Sequence, residues 1–238
     1  MKKEETDLRE LLEDLRRLAD PEKARILSSF FKTGKGQYGE GDRFLGIAVP
    51  DQRRTARKYA GLSLGELQTL LSSEIHEHRL TALLILVDRC RKADGRGRKE
   101  IVDFYLRNIR YVNSWDLVDL SAEKILGEYL DDCEKTILYE LARSRNVWER
   151  RIAIMATFAF IRKVRFDDTL KLAELLLRDP HELIHKAVGW MLREVGKRDM
   201  AAEERFLMRF YRDMPRTMLR YAVERFEEKK RKRYLARV

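Results

Sequence analysis

Seven residues near the middle of the chain read NSWDLVD, from Asn113 to Asp119, and their helical pattern is the one that the rest of the sequence follows. Ser114 is a good N-cap residue, because its side-chain oxygen can accept a hydrogen bond from an unpaired N–H of the first helical turn. Trp115 and Asp119 lie four positions apart, so a helix places both side chains on one face. We therefore predict a helix that starts here, runs to about Tyr129 and presents an aromatic ring beside a carboxylate.

The same helical pattern extends in both directions from this stretch. Apolar residues recur three and four positions apart through most of the chain, and the alternation typical of strands is nearly absent. Helices that begin near Ser114, Asn146 and Glu182 recur at roughly the 40-residue spacing of HEAT-type repeats, and each carries a Trp and an Arg or Asp near its start. We predict an all-α superhelix, or solenoid, of HEAT-like antiparallel helix pairs, in which these residues converge on a concave surface.

Two segments depart from the repeat pattern. We expect one repeat domain over residues 1–228 and a basic tail over 229–238. A run of charges such as KKRKR is more often a solvated chain end than a segment that recognises a specific partner. The Gly-rich stretch 33–43 is the longest loop; its N–H groups could wrap a phosphate, or it could simply connect two helices. It lacks the closing Gly-Lys-Ser/Thr of a Walker loop. The sequence GRGR at 95–98 is interpreted as a basic turn.

Composition narrows the class of protein. The chain has 238 residues, with Lys+Arg 50 against Asp+Glu 40, which gives a net charge of +10. This balance allows a nucleic acid, an acidic protein or an anionic surface as partner. The start of the chain is charged and no apolar run reaches about 18 residues, so we expect neither a signal peptide nor a membrane span. The two cysteines, Cys90 and Cys133, favour free thiols in a reducing compartment, which suggests the cytoplasm.

Taken alone, the residues that could carry chemistry also have ordinary structural explanations. An Asp near a helix start, such as Asp119, usually serves the helix dipole, and Trp190 lies in an apolar run typical of a core. Trp148 is assigned to the core. His181 and His185 are four apart, but a third ligand is not evident, so we expect no metal and no cofactor. The sequence contains no catalytic triad order and no dinucleotide fingerprint.

Five segments are nevertheless distinctive together: FLGIAVP at 44–50, NSWDLVD at 113–119, WERRIA at 148–153, KAVGWMLRE at 186–194 and MPRTMLRYA at 214–222. In this order, over nearly the whole chain, they resemble the DNA alkylation repair family. The resemblance implies an all-α superhelix whose concave, basic groove holds duplex DNA. It implies hydrolytic removal of positively charged N3- and N7-alkylpurines, without the deep base pocket of other glycosylases. We expect a monomer that is associated with the nucleoid when it is bound to DNA.

The resemblance also assigns roles to individual residues. Asp119 would be the catalytic carboxylate, and Trp115 and Trp190 would flank the sugar and backbone of the lesion. Arg151 would be the cationic partner in the groove. The residues expected to contact DNA are basic side chains in or next to these motifs: Arg53, Arg54, Arg151, Lys186, Arg193 and Arg216.

One departure from the family pattern keeps an alternative open. Phe30 stands where the best-known family member has a Tyr on its second helix, and the Gly-rich loop is longer here. The contact that the Tyr makes on the lesion side is therefore in question. The alternative function is a non-catalytic HEAT-repeat scaffold that binds nucleic acid or protein through its concave face.

Overall fold

The computed structural model describes residues 2–236, with the side chains of residues 7–236. Within this range the regular structure is helical, apart from one isolated bridge between Arg43 and Ile75. The predicted all-α class is confirmed. The described residues form two compact units, one up to Ser121 and one from Ala122 onward. The expected single repeat domain and its superhelical shape stay predictions.

Helix α5 is the centre of the N-terminal unit. It packs against α3, α4 and α6, and most of its residues are buried. A helix that is buried on nearly every side belongs to the middle of a core. The helices of this unit are α1 (Lys2–Arg17), α2 (Pro21–Phe30), α3 (Val49–Lys58), α4 (Leu64–Leu71), α5 (His76–Lys92), α6 (Gly95–Arg107) and α7 (Trp115–Ala122), with a 3-10 turn at Ile109–Tyr111 between the last two.

Helix α13 has the same central place in the C-terminal unit, where it packs against α10, α14 and α15. Gly189 permits the close approach of α15, because a Cβ there would lie 2.4 Å from the carbonyl oxygen of Met218. The helices are α8 (Glu128–Leu130), α9 (Thr136–Ala142), α10 (Val147–Ala156), α11 (Phe158–Arg162), α12 (Asp167–Leu175), α13 (Glu182–Gly196), α14 (Met200–Phe210), α15 (Arg216–Ala222) and α16 (Glu228–Leu235).

The helix predicted from Trp115 to about Tyr129 is present, although it is not a regular α-helix throughout. After α7 it passes through a π-helical turn, Glu123–Gly127, and continues as α8 to Leu130. Such wider turns occur mostly as short insertions in α-helices, often at functional sites. This one follows directly on the helix that carries Trp115.

The interpretation of residues 95–98 as a basic turn is wrong. These residues form the first turn of α6, and the Asp94 carboxylate accepts a hydrogen bond from the N–H of Gly97 at 2.8 Å. The preceding Asp supplies the N-cap, which outweighs the low helix propensity of the two glycines. The basic run at 229–233 is also helical, within α16.

Candidate functional site

The first turns of α7 carry the site that the sequence predicts. The N–H of Val118 donates to the carbonyl oxygen of Ser114 at 3.1 Å, so the helix begins where the motif places it. Residues 116–118 are buried, whereas Trp115 and Asp119 on either side of them are both partly exposed. The indole and the carboxylate therefore form the accessible face of this part of α7.

Aromatic neighbours fix the Trp115 ring. The Phe31 ring lies parallel to it, with the ring centroids 5.1 Å apart and an angle of 7° between the planes. Phe30 meets the indole edge-on at 6.0 Å, and 62% of Phe30 is exposed. Stacked and edge-on pairs are the favoured arrangements of aromatic rings. Trp115 is thus held in one orientation while part of it stays accessible.

His76, at the start of α5, anchors the beginning of α7 from inside the core. Its Nε2 lies 2.8 Å from Asp116 and its Nδ1 lies 3.0 Å from Asp42. Burial lowers the pKa of His76, but the hydrogen bonds to the two carboxylates outweigh burial and raise the pKa to about 9. The ring is therefore a buried imidazolium at neutral pH, and it ties the residue next to Trp115 to the core.

The neighbouring Glu77 explains the motif FLGIAVP. Its carboxylate accepts hydrogen bonds from the N–H groups of Leu45, Gly46 and Ile47, at 2.9, 2.8 and 3.2 Å. Gly46 has a φ of +85°, and a Cβ there would lie 2.1 Å from the carbonyl oxygen of Asp20. Only glycine fits this position without strain.

Sequence reasoning missed His76 and Glu77 as parts of the site. Neither residue lies in the motifs from which the site is predicted. The available signal was the polar run HEHR at 76–79, directly before the apolar segment 80–87 of α5. Buried charged groups require paired partners, so such a run indicates that other polar groups come from elsewhere in the chain.

In the C-terminal unit, Trp190 also lies beside a carboxylate. Its Nε1 donates to Glu194 at 3.3 Å, and its ring centroid lies 6.4 Å from that of Phe158. Glu194 further accepts from Lys197 at 2.5 Å and from Arg198 at 3.1 Å. Burial raises the pKa of Glu194, but the hydrogen bonds from these two cations overcome it and leave the pKa lowered. Trp190 is partly exposed, so it is not a fully buried core residue.

Arg151 is buried, with only 5% of its surface exposed. Its guanidinium donates to the carbonyl oxygen of Leu183 at 2.6 Å, which connects α10 to the first turn of α13. Trp148, three residues earlier, is also buried, and its assignment to the core is confirmed. Arg151 therefore has a structural role in the C-terminal unit besides any role in binding DNA.

The other basic candidates lie at or near the surface. Arg53 and Arg54 are exposed on α3, and Arg54 forms an ion pair with Asp51. The remaining three are in the C-terminal unit and contact an acidic side chain or a carbonyl there: Lys186 contacts Glu182 at 3.1 Å, Arg193 contacts Glu224, and Arg216 donates to the carbonyl oxygen of Leu235. Their contact with DNA stays a prediction.

The Gly-rich stretch 33–43 forms the expected loop, and its own groups use several of its N–H donors. The N–H of Gly34 donates to the side chain of Gln37 at 3.0 Å, and the N–H of Gly36 donates to Glu40 at 2.7 Å. Gly39 donates to the carbonyl oxygen of Lys32 at 3.1 Å. Because these N–H groups are already bonded within the loop, the structure favours a loop that connects two helices over a loop that wraps a phosphate.

Taken together, these features define a basic, all-helical protein in which an accessible tryptophan lies near a carboxylate on α7. The chain belongs to the DNA alkylation repair enzyme family, whose model matches residues 11–226. Its function therefore lies in DNA repair, with DNA as the partner that the family indicates. None of the helices in the described range is long and apolar enough to cross a membrane.

A solved structure shows the same fold. A protein of Enterococcus faecalis, described as a predicted DNA alkylation repair enzyme, superimposes with a TM-score of 0.66 at 18% identity, over 88% of this chain and 97% of its own. The smu.31 protein of Streptococcus mutans is also 18% identical, with a TM-score of 0.49 over 79% of this chain and 91% of its own. No curated protein is significantly similar in sequence.

Proposed function

We propose that the protein is a DNA glycosylase that hydrolyses the N-glycosidic bond of cationic N3- and N7-alkylpurines in duplex DNA. The observation that supports this most is the accessible face of α7, where Trp115 and Asp119 flank three buried residues. Membership of the DNA alkylation repair enzyme family supports alkylated DNA as the substrate.

The reaction suits a site with one carboxylate. Alkylation at N3 or N7 leaves the purine positively charged, so the base departs without a general acid. The C1′–N bond breaks and its electron pair goes to the base, which becomes neutral. The sugar passes through an oxocarbenium-like state, as in glycoside hydrolysis. Water then forms the new C1′–O bond, and the proton that it loses is taken up by a carboxylate and passed to solvent.

Asp119 is the residue that we assign to the water and the cationic sugar. A carboxylate that faces a developing positive charge stabilises it electrostatically. Trp115 offers a flat, electron-rich face that attracts a cation by about 0.5–2 kcal/mol. This electrostatic attraction selects cationic lesions over neutral bases without hydrogen bonds to the edges of the bases.

In the C-terminal unit we assign Trp190 a similar role, the packing of its ring against the sugar or backbone of the lesion. The surface residues Arg53 and Arg216 are assigned to the phosphates, and the buried Arg151 is assigned to holding α10 against the first turn of α13. Phosphate contacts give affinity that falls with salt concentration, because each bound phosphate releases condensed counterions.

Free base released from duplex DNA that carries 7-methylguanine or 3-methyladenine tests this function. The protein should raise the release above the spontaneous rate and leave one abasic site for each base released. Release no faster than in buffer, at protein concentrations that saturate the DNA, would rule out the glycosylase.

A second candidate, the non-catalytic scaffold, is favoured by the surface of α2. Ile26 and Phe30 are exposed to 58% and 62%, and exposed apolar side chains that lie close together often mark a contact with another macromolecule. The scaffold predicts binding without base release. Binding to duplex DNA that weakens steeply with salt would identify DNA as its partner, and no binding to DNA at low salt would indicate a protein.

A further inference from the structure

The ring of Phe158 on α11 has no part in the function proposed so far, although it lies next to Trp190. The two ring centroids are 6.4 Å apart, and Phe158 is only partly buried. The guanidinium carbons of Arg162 and Arg198 lie over the same ring, 5.0 and 5.7 Å from its centroid. The electron-rich face of an aromatic ring attracts a guanidinium. Trp190 therefore has an aromatic neighbour that holds two cations.

Two buried carboxylates fix the positions of these arginines. Arg162 Nε lies 2.9 Å from the carboxylate of Glu123, which belongs to the π-helical turn after α7. Arg198 donates to Glu194 at 3.1 Å, and Glu194 also accepts from the indole of Trp190 at 3.3 Å. One carboxylate thus orients both Trp190 and Arg198. The π-helical turn supplies the other, and such turns are frequent at functional sites.

The arginines keep N–H donors and positive charge for a further acceptor. A guanidinium carries five N–H donors, and the contact with a carboxylate uses only part of them. The side chain of Arg162 is 53% exposed, so it can be reached from solvent. Two lysines contact the same carboxylates: Lys124 lies 3.0 Å from Glu123, and Lys197 lies 2.5 Å from Glu194. Cations therefore outnumber carboxylates in this cluster, which favours the binding of an anion.

A phosphate of the DNA backbone is the anion that matches this cluster. The planar fork of an arginine fits the oxygens of a phosphate. In the proposed function Trp190 packs against the sugar or backbone of the lesion, and each sugar within a strand is bonded to a phosphate on both sides. A phosphate next to that sugar lies on the side of Trp190 or Phe158, within the region that the two arginines occupy.

We propose that Arg162 and Arg198, held by the ring of Phe158, form a clamp for a backbone phosphate of the strand that carries the lesion. The inference rests on the proposed function, because the place of the strand follows from the role assigned to Trp190. The two guanidiniums donate to the phosphate oxygens. They do not touch the reacting atoms, so the clamp contributes to binding and not to the chemical step.

Equilibrium binding of modified duplexes by the full-length protein tests the clamp. Each duplex carries one 2′-fluoro-7-methylguanine, whose glycosidic bond resists cleavage because fluorine destabilises the cationic sugar. In each duplex of the series, one phosphate near the lesion is replaced by an uncharged methylphosphonate. The protein variants are Arg162→Ala, Arg198→Ala and the double variant. Each change leaves the buried carboxylate paired with its lysine. Arg178→Ala, an exposed arginine that pairs with Asp213, is the control.

We expect Arg162→Ala and Arg198→Ala each to weaken binding of the unmodified backbone about ten-fold, because hydrogen bonds to charged groups are strong. Each should also reduce the slope of log affinity against log salt by about 1. Arg178→Ala should change neither quantity. One methylphosphonate should weaken the wild-type protein and cause no further loss in the double variant.

Unchanged affinity and salt slope in both single variants would overturn the proposal. So would a methylphosphonate series in which every position weakens the double variant as much as it weakens the wild type. Base release from 7-methylguanine DNA separates the clamp from the reaction, since loss of binding alone keeps the single-turnover rate at saturating protein. The expected methylphosphonate result without base release would retain the clamp and remove the glycosylase. Base release with normal DNA binding by the variants would do the reverse.

Discussion

The two units each bury a titratable group whose pKa is raised, and they do so for opposite reasons. His76 in the N-terminal unit has a carboxylate on both ring nitrogens, and those bonds raise its pKa to about 9 against the effect of burial. For Glu203 in the C-terminal unit, burial itself raises the pKa to about 8. Among the described residues, no donor pairs with Glu203 Oε1. At neutral pH, one unit thus contains a paired charge and the other a neutral acid.

The two buried groups also differ in their neighbours. The imidazolium of His76 holds Asp116, the residue next to Trp115, whereas Glu203 lies on α14, away from the motif residues of α13 in sequence. Both groups bind a proton more tightly in the folded protein, so both make the fold less stable as the pH rises. The pH windows differ. His76 loses its contribution between pH 6.5 and about 9, and Glu203 loses its own between pH 4.5 and about 8.

The largest effect on stability is expected at Glu77. Glu77→Ala leaves three N–H groups of the segment 45–47 without their acceptor, which should lower the free energy of unfolding by about 4 kcal/mol. Urea unfolding measures this loss. Glu74→Ala is the control, since Glu74 pairs with Arg43 at the surface and should cost less than about 1 kcal/mol. Equal losses in the two variants would contradict the role of Glu77.

Next in size is the pH dependence of the C-terminal unit. The free energy that protects the α14 amides against hydrogen exchange should fall by about 3–4 kcal/mol between pH 5 and pH 8, after correction for intrinsic exchange rates. Glu203→Gln should remove this fall, because an amide side chain does not titrate. Glu174→Gln, a more exposed acid on α12, should keep it. A fall that survives in Glu203→Gln would show that another group causes it.

The pH dependence of the N-terminal unit should be somewhat smaller and should occur at higher pH. Protection of the α5 amides should fall by about 2–3 kcal/mol between pH 6.5 and pH 9, as His76 loses its proton. His76→Gln should flatten this change. His78→Gln is the matched control: burial lowers the pKa of His78 to about 4, so its titration lies below this window. Loss of the change in both variants would refute the assignment to His76.

The smallest effects are expected for single phosphate contacts, one from each unit. Arg53→Ala and Arg216→Ala should each weaken duplex binding by a few-fold and reduce the slope of log affinity against log salt by about 1. Fluorescence anisotropy over a salt series measures both quantities. Arg91→Ala, an exposed residue at the end of α5 that pairs with Asp88, should change neither. A slope that is unchanged in the first two variants would remove those residues from the DNA interface.

The sequence predicts most of the helices because apolar periodicity is a local property. Two further local signals hold: Ser114 as an N-cap residue predicts the start of α7, and the glycines of 33–43 predict the loop. The first turn of α6 was missed because glycines usually interrupt helices, and the effect of Asp94 as an N-cap was not weighed against them. The contacts of His76 with Asp42 and Asp116, and those of Glu77 with the segment 45–47, could not be predicted, since their members are brought together only by packing of α5 against segments distant in sequence.

The central claim is that Asp119 carries the chemical step. Its most direct test is the single-turnover rate of 7-methylguanine release, with the protein in excess over DNA, for the wild type and Asp119→Asn. Asp103→Asn makes the same change at a surface residue of α6 that pairs with Lys99. We predict that Asp119→Asn slows release about 100-fold or more while duplex binding is kept, and that Asp103→Asn has the wild-type rate. Release by Asp119→Asn at the wild-type rate would contradict the account.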